Sequence, residues 1–137
     1  MKRLILLVAI ILIGGMTYGQ NLQKGNLIGT HVFTVTLAPG VTIDKYIEFC
    51  NTKIKPEVEK VYSNWQVCFL KGVRGENADS YLMLYIIKSQ KDRDKYYNAD
   101  GTPNELNNQA TAKMQPLMDE LNKLGTFTSK YTDWLVL

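Results

Sequence analysis

The stretch Tyr81-Leu82-Met83-Leu84-Tyr85-Ile86-Ile87, with Ser80 before it and Lys88-Ser89 after it, decides the fold. Seven apolar or aromatic residues in a row are too few for a buried helix and suit a strand covered on both faces. A half-exposed strand alternates polar and apolar side chains, and this one does not. The fold must therefore supply cover for both sides of the sheet.

Immediately upstream, Trp65 to Lys71 reads as a second strand. The polar, glycine-bearing segment Gly72 to Asp79 joins the two into a hairpin with a long loop. Further back, His31 to Leu37 alternates cleanly. His31, Phe33, Val35 and Leu37 fall on one face, with Val32, Thr34 and Thr36 on the other. Between these strands Thr42 is an N-cap, and Ile43, Ile47, Cys50, Ile54 and Val61 follow at helical spacing, widened by Tyr46, Val58 and Tyr62. Pro56 predicts a kink or a restart in this helix.

Downstream, the charged run Lys91 to Lys95 predicts a short helix within Ser89 to Tyr97. Thr102-Pro103-Asn104-Glu105 reads as a capping box with proline at the first helical position. Leu106, Ala110, Met114, Leu117, Leu121 and Leu124 form the stripe of the helix that follows, with a kink at Pro116 and a stop at Gly125. Tyr131 to Leu137 is the last predicted strand.

The N-terminus has the pattern of a signal peptide. Met1-Lys2-Arg3 is a basic head, Leu4 to Ile13 an unbroken apolar run, and Thr17-Tyr18-Gly19 offers small residues for cleavage after Gly19. The alternative, an uncleaved anchor, is disfavoured because the run is well short of the roughly 20 residues that span a bilayer. Residues 1–19 are thus expected to be removed, leaving a flexible leader at 20–29 and a single domain at 30–137 that is periplasmic or secreted. No stable membrane association is expected after cleavage. Fourteen basic residues then face thirteen acidic ones, a formal charge of +1 instead of the precursor's +3. Without a basic cluster, nucleic acid is excluded as a partner. Cys50 and Cys68 both remain. They are either a disulfide stapling helix to sheet, as an oxidising compartment favours, or two buried thiols.

The element order strand, helix, strand, strand, helix, strand is that of an α+β, ferredoxin-like βαββαβ domain. Such a domain has a four-stranded antiparallel sheet and two helices on one face. The other face is then open and apolar, and a second copy packed sheet to sheet is the economical cover. In this order, in the doubly apolar third strand and in the short charged helix Ser89 to Tyr97, the sequence resembles the dimeric α/β-barrel superfamily over about residues 30–137. That superfamily includes antibiotic-biosynthesis-type and haem-degrading monooxygenases. The resemblance implies a homodimer whose barrel interior, or whose helix–sheet cleft, holds a small ligand. It also leaves a cofactor-independent or haem-type monooxygenase, or an envelope interaction module, as alternatives. Haem-degrading members carry a histidine on the second helix, and Pro103 to Leu124 has none.

His31 is the only histidine, so no histidine-based metal site or acid–base pair can be assembled within one chain, and neither a metal nor a cofactor is expected. His31, Thr34, Trp65, Tyr81, Met83 and Tyr85 are the candidate ligand-binding residues. The three aromatics would form a wall for a flat ligand, or else serve as core and interface packing. If the helices cover Phe33, Val35, Leu82, Leu84 and Ile86, the barrel is lined by Val32, Thr34, Thr36, Tyr81, Met83 and Tyr85. Arg74 in the hairpin loop and the aspartates around Gly101 read as solvated turn chemistry. The latter lack the spacing of a calcium loop.

Overall fold

A computed structural model describes residues 22–137; the predicted signal peptide lies outside them. Four strands, β1 (Leu27–Leu37), β2 (Trp65–Lys71), β3 (Tyr81–Ile87) and β4 (Gly125–Leu135), form one sheet in the order β2-β3-β1-β4. Every neighbouring pair is antiparallel. Between β1 and β2 runs one helical rod, α1 (Ile43–Phe49), a π-helical turn (Cys50–Ile54) and α2 (Lys55–Val61). After β3 come the short α3 (Gln90–Arg93) and the long α4 (Glu105–Leu124). This is the α+β ferredoxin-like arrangement, with β1 and β3 central and both long helical segments on one face.

Which face the helices cover follows from register. Phe33 lies opposite Tyr81, His31 opposite Met83 and Gly29 opposite Tyr85, and directly opposed residues share a face. Tyr81, Met83, Tyr85 and Ile87 therefore sit with His31 and Phe33 beneath the helices. Leu82, Leu84 and Ile86 lie on the open face with Val32 and Thr34. The grouping in which the tyrosines joined Val32 and Thr34 in facing a barrel is overturned. Both faces of β3 are apolar, so hydrophobicity did not distinguish them.

The rod explains how one helix keeps a straight contact line. Tyr46, Cys50, Ile54 and Val58, each four residues apart, are all buried against the sheet. An α-helix advances about 100° per residue, so a four-residue spacing drifts by about 40° at every step. The wider π turn takes that drift back. Pro56 has no N–H to donate to the carbonyl four residues before it, which removes one α-type bond at this point. The Lys55 N–H instead reaches Cys50 O, five residues back. Thr52 Oγ1 and Asn51 Nδ2 bond back to the carbonyls of Glu48 and Ile47 at 2.8 and 3.1 Å.

Several boundaries move from their predicted places. β1 starts at Leu27, inside the expected 20–29 leader, and Gly25 N and Asn26 O are hydrogen-bonded to Val136. Asn104, not Thr102, caps α4, accepting from Asn107 N at 3.1 Å. Thr102 is taken up in a turn with Asp100, and Pro103 bridges Tyr97. α4 runs straight into β4 at Gly125, whose backbone is extended. A Cβ there would fall 2.8 Å from Thr36 O, so glycine is needed for close approach and not for a left-handed turn. The last strand thus begins six residues before Tyr131.

The candidate Cys50–Cys68 staple does not form, and both cysteines are free. Cys50 projects from the rod onto the covered face, whereas Cys68 is paired with Leu84 and belongs to the open face. The sheet itself separates them.

Candidate functional site

Between the helices and the covered sheet face lies a half-open cavity of about 260 Å³. The sheet contributes His31, Phe33, Trp65, Phe69, Met83 and Tyr85. The rod contributes Tyr46, Cys50, Ile54 and Val58, followed by Tyr62, and α4 contributes Met114, Met118 and Leu121. Tyr97, Phe127 and Tyr131 complete the wall. Phe127 and Tyr131 are 37% and 43% exposed, so the cavity opens along β4. The lining contains no aspartate, glutamate, lysine or arginine. Three methionines beside stacked aromatics make a wall that adapts to the shape of an apolar guest.

At one end the wall is ordered by stacking. Tyr62 lies on Trp65 with ring centroids 4.8 Å apart, and Trp65 meets Tyr85 edge-on at 5.2 Å. Tyr96 closes the cluster from behind, its hydroxyl accepting from Ser63 N at 2.9 Å. The Trp65 indole N–H is buried and has no hydrogen-bond partner.

The mouth is polar. His31 stacks on Tyr131 at 4.5 Å and meets Tyr85 edge-on at 5.6 Å, with Nδ1 3.3 Å from Ser129 Oγ. Burial lowers the His31 pKa below its ordinary value, partly offset by the Asp133 charge, so the ring is neutral at pH 7. The Tyr131 hydroxyl donates to Asp133 Oδ1, and Asp133 Oδ2 lies 3.3 Å from Arg93 Nε. Burial, and then the bond to Asp133, push the Tyr131 hydroxyl well above the usual tyrosine range. Arg93 in turn sits 4.6 Å over the Tyr97 ring.

This arrangement suits binding better than covalent chemistry. Burial raises the Cys50 thiol to about 12, so it is a neutral lining group and not a nucleophile. Among the described residues no group of three histidine, cysteine, aspartate or glutamate side chains is placed to hold a metal ion.

Of the six candidate residues, His31, Trp65, Met83 and Tyr85 line the cavity. Tyr81 shares their face but packs beside it, 5.8 Å from Phe33. Thr34 is on the open face, bonded to Thr128 Oγ1 at 3.0 Å. Sequence reasoning missed Tyr131, Asp133 and Arg93. The i, i+2 spacing of Tyr131 and Asp133 does place them on one face of a strand. Nothing in the charged run around Arg93 marked it as their partner.

No protein-family model and no curated protein sequence matches the chain. Solved structures do. A NIPSNAP family protein from Agrobacterium tumefaciens is 11% identical, with 80% of this chain and 91% of that one covered at a TM-score of 0.51. A second, a NIPSNAP family protein of unknown function from the same organism, is 10% identical, with coverage of 85% and 94% and a TM-score of 0.51. SnoaB, a cofactor-independent oxygenase from Streptomyces nogalater, is 14% identical at a TM-score of 0.48, with coverage of 83% and 95%. At these identities the likeness is one of fold alone: the two NIPSNAP family structures share the α+β ferredoxin-like arrangement of strands and helices.

Proposed function

We propose that the mature chain is an exported homodimer that holds a small, uncharged, apolar or aromatic molecule between its helices and its sheet. The observation that carries this reading is the half-open cavity of about 260 Å³, walled by aromatics and methionines and free of formally charged side chains. Its size falls just below the usual range of ligand sites, which starts at about 300 Å³, and suits a small molecule. Burying an unpaired charge in such a lining costs several kcal/mol, so an ionic ligand is disfavoured.

The dimer is supported by the open sheet face. Ile28, Val32, Leu82, Leu84 and Ile86 are only partly covered there, and Leu70 and Trp134 are 47% and 59% exposed. A contiguous apolar sheet face of this kind is normally an interface. Export rests on the Met1 to Gly19 pattern. The oxygenase alternative rests on resemblance alone.

Titration with 1-methylnaphthalene, read by quenching of Trp65, tests the ligand site. Saturable binding that disappears in the cavity-filling variant Ile54→Trp is expected. Absence of saturable quenching in the unaltered protein sinks the reading. Light scattering on the chain cleaved after Gly19 tests the assembly, with a dimer that becomes a folded monomer in Leu84→Asp as the expected result.

A further inference from the structure

The apolar cavity carries one ordered polar element, and that element is held in place by groups that do not themselves line the cavity. Tyr131 and His31 line its mouth. Tyr131 is braced from behind by Asp133, which is braced by Arg93 3.3 Å away. Arg93 is itself packed on Tyr97. Such a chain holds a side chain in one rotamer, which is what a site needs if it is to read a single group on a ligand. Structural support alone does not account for an Asp–Arg pair stationed behind an exposed-edge tyrosine. The Tyr131 ring could pack on His31 without it.

We propose that His31 and Tyr131, positioned by Asp133 and Arg93, form a subsite that reads a hydroxyl group on an otherwise apolar ligand. The inference rests on the ligand-binding reading above and narrows it to alcohols. Tyr131 lines the mouth, and its O–H is committed to Asp133, which leaves the hydroxyl oxygen able only to accept. The neutral His31 ring, with Nδ1 at Ser129, has Nε2 available as donor or acceptor according to tautomer. A hydroxyl both gives and takes a hydrogen bond through a single oxygen, so it satisfies the pair in either tautomer. A carboxylate meets no cation in the lining. An alkane makes no hydrogen bond to either polar atom and forfeits that contribution.

Three probes of one shape decide it: 1-naphthalenemethanol, 1-methylnaphthalene and 1-naphthoate. Each is titrated with quenching of Trp65 as the signal, while Trp134 on the opposite sheet face contributes a constant background. The alcohol is expected to bind roughly three- to tenfold tighter than the hydrocarbon, the worth of one net hydrogen bond. The carboxylate is expected to bind at least about tenfold weaker than the alcohol. In Tyr131→Phe and in Asp133→Ala the alcohol-to-hydrocarbon ratio is expected to fall to within about twofold, a readout that general loosening of the fold does not move. Equal binding of alcohol and hydrocarbon by the unaltered protein, or naphthoate bound as tightly as the alcohol, overturns the subsite and leaves the apolar cavity standing. Failure of all three probes to bind overturns the ligand-binding reading itself.

Discussion

Gly29 and Tyr131 occupy the same space on the covered face: a Cβ built on Gly29 would fall 2.8 Å from the Tyr131 hydroxyl oxygen. Gly29 lies opposite both Asp133 on β4 and Tyr85 on β3. The missing side chain is the berth into which the Tyr131 hydroxyl leans to reach Asp133. Gly29→Ala is therefore expected to displace Tyr131 and to destabilise the protein by about 1–3 kcal/mol through overpacking. In a Tyr131→Phe background the same substitution should cost less, because the nearest clashing atom is gone. Rescue should be incomplete, since Tyr131 Cε2 and Tyr85 Cδ2 also come within 3.2 and 3.3 Å. A double-mutant cycle by urea denaturation measures this. Strict additivity would show that the two residues do not share the berth.

Asp92 makes the fold sensitive to acid. It is buried and accepts from Lys95 Nζ at 2.7 Å, Ser89 Oγ at 2.6 Å and Asn64 Nδ2 at 2.8 Å. The bond from Lys95, followed by that from Ser89, holds its carboxyl well below the ordinary value of 3.8. A depressed folded-state pKa means the folded chain binds fewer protons than the unfolded one near that value. The stabilisation is therefore complete above the unfolded pKa and is lost as pH falls through the folded one. Stability is expected to decline as the solution is acidified below about pH 4. Asp92→Asn should lower stability at neutral pH by about 1–3 kcal/mol and flatten the acid slope. Denaturation midpoints across the acid range provide the check.

The two thiols should behave as two thiols. Alkylation under native conditions is expected to leave Cys50 unmodified, because it is 2% exposed and its thiol is held protonated. In denaturant both cysteines should react, including in protein recovered from an oxidising compartment. Mass spectrometry reads the result directly. A peptide pair joined through Cys50 and Cys68 would contradict their placement on opposite faces of the sheet.

Asn104 is the cap of α4, so Asn104→Ala should cost about 1 kcal/mol. Thr102→Ala should cost only what the exposed bonds of its hydroxyl to Asp100 and Asn98 are worth, which is less. Thermal melts of the two variants rank them, and a larger loss at Thr102 would restore the capping box read from the sequence.

The sequence by itself determined the order of elements and hence the ferredoxin-like fold. Periodicity is a local property, and Tyr81 to Ile87, His31 to Leu37 and the Leu106 to Leu124 stripe each carry theirs within a few residues. It also marked His31, Trp65, Met83 and Tyr85 as residues to watch. Only the tertiary structure decided which face of the sheet the helices cover. That choice is set by the register of Phe33 against Tyr81, and β3 is apolar on both faces, so its composition is indifferent to the answer. The register moved Thr34 away from the cavity and put the sheet between Cys50 and Cys68. It was also the tertiary structure that brought Arg93, from a charged run after β3, to Asp133 on the last strand. A pairing between residues forty positions apart depends on where two elements dock, and no local pattern encodes that.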